Sequence, residues 1–138
     1  MDYWTSKDVL ETLRSHVNYV VADTKVSEQS AAYILDTHPS VQAFVKNVGF
    51  AIPYLHNGQT HDYVPDFLVT IDSKDPYHLI VETKGYDPLA EIKAAAAQRW
   101  VSAVNTDGQF GRWEFRMARS VGAVRQALDE VSAESRER

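Results

Sequence analysis

Val64-Pro65-Asp66-Phe67 and Val81-Glu82-Thr83-Lys84-Gly85 are the two segments on which the reading of this chain turns. Each sets acids inside an apolar run, and the polar stretch Asp72-Ser73-Lys74-Asp75-Pro76 between them predicts a chain reversal. Asp66 and Glu82 are equally far along the chain from Lys74, so a symmetric antiparallel hairpin sets them opposite each other, with Cβ atoms about 5 Å apart. Lys84, two residues beyond Glu82, returns to the same face. Like charges directly opposite destabilise a sheet, and a divalent cation resolves that conflict. Mg²⁺ takes hard oxygen ligands, typically a couple of carboxylates with waters and phosphate oxygens. The Lys84 ammonium can orient an attacking water and stabilise charge developing on phosphoryl oxygens. The backbone carbonyl of Thr83, flanked by site residues, is a further candidate ligand. Pro65 suits the first position of a strand, and Gly85 permits a close approach or unusual turn where the strand ends. The competing reading is a cross-strand ion pair on a solvated sheet face. It leaves no reason for Phe67, Leu68, Ile80 and Val81 to surround the charges.

Working outward, Thr5-Ser6-Lys7-Asp8 has the form of a capping box, and Val9, Leu10 and Leu13 follow at helical spacing. VNYVV after it is β-prone and predicts an extended segment. From Ser27 to Asn47 the pattern predicts a helix broken near His38-Pro39, with Val41, Phe44 and Val45 continuing beyond the break. Glu28 sits in the first turn. Apolar runs Phe50 to Tyr54 and Tyr63 to Ile71 flank Asn57-Gly58, a strong hairpin signal. Pro53 fits only an edge strand or bulge. With the strand HLIVETK these runs predict a three-stranded antiparallel meander. Asp87 is a predicted N-cap with Pro88 at the first helical position, opening an alanine-rich helix that ends near Asn105 and Gly108. RWEFRMA predicts a fourth strand, VGAVRQALDEV a last amphipathic helix, and SAESRER a frayed end. The order αα-βββ-α-β-α gives an α/β sandwich, a mixed central sheet flanked by helices.

The PD and ETK elements, joined by a hairpin and preceded by a helix bearing Glu28, resemble the PD-(D/E)XK nuclease superfamily. The runs SHVNYVVADTKVSEQSAAYILD, VKNVGFAIPYLHNG, VPDFLV and VETKGYD resemble the C-terminal endonuclease domain of Type III restriction enzyme Res subunits. The likeness covers most of the chain and weakens after Gly108. It implies a restriction-endonuclease-like sandwich and Mg²⁺-dependent DNA cleavage, with Mn²⁺ as a substitute. It also implies Asp66 and Glu82 as metal ligands, Lys84 as the catalytic lysine, Glu28 as a helix acid added to the metal site, and Gln98 set against the site or substrate. The implied partners are DNA, a helicase module of a larger polypeptide and a methyltransferase specificity subunit, in a prokaryotic cytoplasm. This chain carries no GxxxxGK[ST] phosphate loop, so any ATP chemistry is expected of that helicase module. Double-strand cutting needs two active sites or two visits by one, so dimerisation is a natural expectation.

At 138 residues, 44% hydrophobic and 24% charged, residues 1–138 read as one domain with a sizeable core, and the resemblance implies that it is excised from a longer helicase-nuclease. The absence of cysteine excludes disulfides and thiolate metal sites. No basic leader with an apolar run, and no apolar stretch near the roughly 20 residues of a membrane span, is present. A net charge of -5 opposes tight DNA binding by this chain alone. The bland alternatives are a non-catalytic DNA-docking module with the same fold, or a structure-specific repair nuclease sharing the site. Glu28 also suits the dipole of any helix start. Lys93 and Arg99 read as solvated helix residues or phosphate contacts, Trp100 and Trp113 as core, and His56 and His61 as exposed hairpin-tip residues.

Overall fold

A computed structural model describes residues 28–83 and 87–137. The capping-box helix and the VNYVV segment expected before Glu28 lie outside these residues, as do Lys84 and Gly85.

Helix α1 spans Glu28–Thr37. It closes with the His38 N–H donating to Ile34 O at 2.9 Å, and Pro39 cannot continue it. The chain then becomes a strand, β1 (Val41–Lys46), where the sequence pattern predicts more helix. The spacing of Val41, Phe44 and Val45 misleads for a physical reason. A bulge between Val41 and Ala43 inserts an extra residue, so Val41 and Phe44 face the same core although they stand three apart. A bulged strand thereby imitates helical periodicity.

β2 (Ile52–His56) and β3 (Gln59–Tyr63) form a hairpin through Asn57 at φ 52° and Gly58 at φ 74°. Two successive positive φ values are what a two-residue turn matched to strand twist requires. This ribbon is a separate two-stranded sheet, which corrects the expected meander. The partner of β2 is the polar QTHDY run, and the apolar stretch from Tyr63 to Ile71 is divided at Pro65. In a ribbon both strands are edges, so Pro53 is accommodated on an exposed face.

The main sheet has the order β1-β4-β5-β6, with β4 at Phe67–Ile71, β5 at Tyr77–Glu82 and β6 at Arg112–Met117. β1, β4 and β5 pair antiparallel, while β5 and β6 are parallel and joined through helix α2 (Ala90–Asp107). Parallel neighbours need such a crossover. Asp87 nucleates α2 as an Asx turn, its Oδ1 accepting from the Leu89 N–H at 2.8 Å and its carbonyl from the Ala90 N–H at 3.0 Å. Pro88 therefore occupies that turn, and the helix begins two residues later than the sequence predicts. Gly108 ends it at φ 80°, donating to Val104 O.

Helix α3 (Val121–Arg136) is capped by Ser120, whose hydroxyl accepts from the Ala123 N–H at 3.0 Å. The expected fraying from Ser132 does not occur. Ser132 and Ser135 are buried, Ser132 shares a 2.7 Å hydrogen bond with Ser40, and Tyr77 donates to Glu134 at 3.0 Å. Polar composition conceals a helix end that packs on the sheet.

Alternation along the strands divides the core into two layers. On one face α1 and α3 cover Phe44, Phe67, Val69, Leu79 and Val81. On the other, α2 and the β2–β3 ribbon cover Leu68, Ile80 and Phe115 with Ala96, Ala97 and Val101. The result is a mixed sheet flanked by helices, an α/β architecture as the sequence predicts.

Gly111 shows how tightly the α2–β6 return is built. Its φ is 79°, and a Cβ there would lie 2.8 Å from Pro76 Cβ and 2.9 Å from Pro76 O, the acceptor for the Arg112 N–H. Gly111→Ala combines left-handed strain of about 1–2 kcal/mol with a backbone clash. It is expected to lower the melting temperature well beyond the effect of Gly122→Ala, where a Cβ meets nothing within 4 Å.

The α3-facing side of β6 carries Glu114 between Arg112 and Arg116, near Glu134. Burial, and then the Glu134 carboxylate, push the Glu114 carboxyl up from its ordinary value, with Arg116 and Arg112 opposing. A carboxyl raised by folding binds its proton more tightly in the native chain. Stability therefore falls as pH climbs from the unfolded pKa through the folded one, and stays lower above it. Glu114→Gln is expected to melt higher than wild type at neutral pH. The two should converge below about pH 4, where the carboxyl is protonated in both states; paired melting curves across that range check the sign.

Candidate active site

Asp66 immediately precedes β4 and Glu82 ends β5. The ladder pairs Phe67 with Val81, so one step further sets Asp66 against Glu82, as the symmetry about Lys74 predicts. Leu68 and Ile80, each two residues inward, belong to the α2 face of the sheet, and the acids share that face. Both are buried, at 5% and 4% exposure.

Their geometry is held by reciprocal hydrogen bonds. The Asp66 N–H donates to Glu82 Oε1 at 3.2 Å. Asp66 Oδ2 accepts from both the Thr83 N–H at 2.8 Å and the Thr83 hydroxyl at 2.9 Å. These donors offset part of the like-charge repulsion that an apolar-walled carboxylate pair incurs. Thr83, expected as a carbonyl ligand, orients Asp66 through its amide and side chain.

The backbone around Asp66 is fixed from β1. The Asp66 carbonyl accepts from the Asn47 N–H at 2.8 Å, and Asn47 Nδ2 donates to Pro65 O at 2.9 Å and Phe50 O at 2.7 Å. On the other side, the Glu82 carbonyl accepts from the Ala118 N–H at 2.8 Å, extending the β5–β6 pairing. The two acids therefore stand on a backbone anchored by both neighbouring strands.

Two residues reach this site that the sequence pattern did not assign to it. Lys93, on the first turn of α2, is turned inward; its Nζ pairs with Asp87 at 2.8 Å and lies 5.8 Å from the centre of the Tyr63 ring. The Asp87 contact raises its pKa, opposed by burial and aided by the Tyr54 and Glu82 groups. Tyr63, at the end of β3, is 2% exposed with its ring against Phe115. Burial, then Glu82 and Asp66, push its phenol far above the ordinary range. Lys93 carries a usable sequence signal, since it stands one turn after Leu89 and one before Ala96 and Ala97 on the inward stripe. Tyr63 carries none, because a tyrosine closing a strand reads simply as core.

Gln98 and Glu28 are not brought to the acid pair. Gln98 is exposed on the outward stripe of α2 with Glu91, Ala95 and Ser102. Glu28 forms an ion pair with Lys46. Lys46 pairs with Phe67, which faces the α1 and α3 side of the sheet, so Glu28 belongs to the opposite face. Trp100 and Trp113 pack edge-on at 5.2 Å beside Phe50 against the α2 core. His61 stacks on Tyr54 at 5.4 Å between ring centres.

Among the described residues no group of three or more histidines, aspartates and glutamates converges closely enough to hold a metal. Two buried carboxylates in register are a donor set suited to a hard cation that keeps several waters and takes remaining ligands from a substrate. No helix among the described residues is long and apolar enough to cross a membrane. Compared with protein-family models, with curated proteins and with solved structures, the chain has no match in any of the three.

Proposed function

We propose that this chain is a PD-(D/E)XK nuclease domain with a restriction-endonuclease-like fold, hydrolysing DNA phosphodiesters with Mg²⁺ held by Asp66 and Glu82. The observation that carries this reading is the buried, in-register placement of Asp66 against Glu82 at the end of β5, two residues before Lys84 in sequence. When bound, Mg²⁺ supplies Lewis acidity toward the scissile phosphate. The protein's own part is positional. Thr83 and the strand backbone hold Asp66, the Asp66 amide holds Glu82, and apolar neighbours exclude bulk water and strengthen the local field. Lys84 would supply the ammonium that orients the attacking water, and Lys93, paired with Asp87, adds positive charge on the face that carries the acids.

The net charge of -5 fits a cleavage module that receives DNA from partners rather than capturing it alone. We place it in a Type III-like restriction system of a prokaryotic cytoplasm, beside a helicase module and a methyltransferase specificity subunit, and acting as a dimer for double-strand cuts. The same charge also favours a second reading, a docking module that keeps the fold without turnover. Nicking of supercoiled plasmid in Mg²⁺ and in Mn²⁺, with Lys84→Ala alongside, separates them. Cutting by the wild type and not by the variant supports the nuclease. Equal cutting by both removes Lys84 from the chemistry. Absence of both cutting and cation binding favours docking.

A further inference from the structure

The hydroxyl of Tyr63 is a buried polar group that the packing of the fold does not explain. It makes no hydrogen bond of normal geometry, although the Glu82 carboxylate is near enough to act on it, and a buried donor left without a well-formed bond costs roughly 1–3 kcal/mol. Arg112 Nε is the other such side-chain atom among the described residues. It lies on the α3 side of β6, away from the acid pair, because Trp113 and Phe115 alternate with it toward α2. Strand register puts the phenol beside the acids. Phe115 pairs with Ile80, the Tyr63 ring meets Phe115 edge-on at 6.3 Å, and Glu82 stands two residues beyond Ile80 on that face. Lys93 over the ring and Ile52 across the hairpin keep the ring in place. Glu82, two residues along β5 from Ile80, turns its carboxylate to that same face, and a phenol, protonated at neutral pH, acts there as a donor.

We propose that Tyr63 is a positioning residue for Glu82: with a divalent cation bound, its hydroxyl donates to the Glu82 carboxylate and fixes the orientation in which that carboxylate meets the cation. The inference rests on reading Asp66 and Glu82 as cation ligands. Without a cation the hydroxyl stands near Glu82 but outside normal hydrogen-bond geometry, and cation binding supplies the carboxylate orientation that completes the bond. Outer hydrogen bonds of this kind hold ligating carboxylates, and losing one typically costs 10–100-fold in metal affinity.

Calorimetric titration of the 138-residue chain with Mn²⁺ tests this, using wild type, Tyr63→Phe and Asp66→Asn, with melting of each cation-free protein. Tyr63→Phe keeps the ring and deletes an unsatisfied hydroxyl. Its Mn²⁺ Kd is expected to rise about 10–100-fold while its cation-free melting temperature holds or increases. An unchanged Kd in Tyr63→Phe, with binding lost in Asp66→Asn, overturns the role of Tyr63 and leaves the cation site standing. A lower cation-free melting temperature overturns it too, because the hydroxyl then serves the fold. A wild type that takes up no Mn²⁺ overturns the cation site and the positioning role together.

Discussion

Asp66→Asn is expected to yield a folded protein whose DNA cleavage falls by about 10²–10⁴, the kinetic equivalent of the several kcal/mol that a catalytic cation supplies. The substitution is nearly isosteric. An asparagine side-chain oxygen can still accept from the Thr83 N–H and hydroxyl, which hold Asp66 at 2.8 and 2.9 Å. What disappears is one of two charges facing each other across β4 and β5. Glu82→Gln is expected to act in the same way, since an amide oxygen can still receive the Asp66 N–H. Combining the two removes the like-charge repulsion while retaining those acceptors, so the cation-free double variant should melt at or above the wild-type temperature. Plasmid nicking measures the first effect and thermal melting without cation the second. A double variant that melts far below wild type would mean that the carboxylates serve mainly as structural acceptors.

Leu79→Ala carries the largest expected effect on stability. Leu79 is fully buried at the middle of β5, with β4 paired on one side and β6 on the other, and it faces the core under α1 and α3. Truncating a buried leucine costs about 2–5 kcal/mol, the spread reflecting how far the cavity can collapse. In a close-packed sheet interior little collapse is available, so a value in the upper half of that range is expected. The melting temperature should drop by roughly 10–20 °C at this size. Because Glu82 ends the same strand, the cation affinity of Leu79→Ala, measured well below its melting point, reports whether the site depends on the packing beneath it. Unchanged affinity would assign the geometry to the local hydrogen bonds from Thr83 and Asp66 alone.

The chain order of acids, turn and lysine determined by itself the most informative contact in the molecule. A hairpin symmetric about Lys74 has one in-register pairing, and the structure shows it: Phe67 pairs with Val81, and one step further the Asp66 N–H meets Glu82 Oε1 at 3.2 Å. Asn57-Gly58, Gly108 and the apolar stripe of α3 were legible for the same reason: each is a local signal whose physics lies within a few residues. Other features depended on neighbours distant in sequence. The bulge in β1 gave Val41 and Phe44 a helical spacing, and only pairing with β4 shows it to be a strand. The polar QTHDY run became a strand because β2 lies beside it, and the serine-rich end of α3 stayed helical because Ser40 and Tyr77 meet it. Tertiary structure also selected the side chains around the acids. Helix rotation turned Lys93 inward and Gln98 outward, strand parity set Glu28 with Lys46 on the far face, and the ribbon brought Tyr63 to Glu82. Periodicity and turn chemistry are properties of neighbouring residues, so sequence carries them. Which face meets which partner is a property of packed layers, and it exists only once the sheet, α2 and the ribbon have come together.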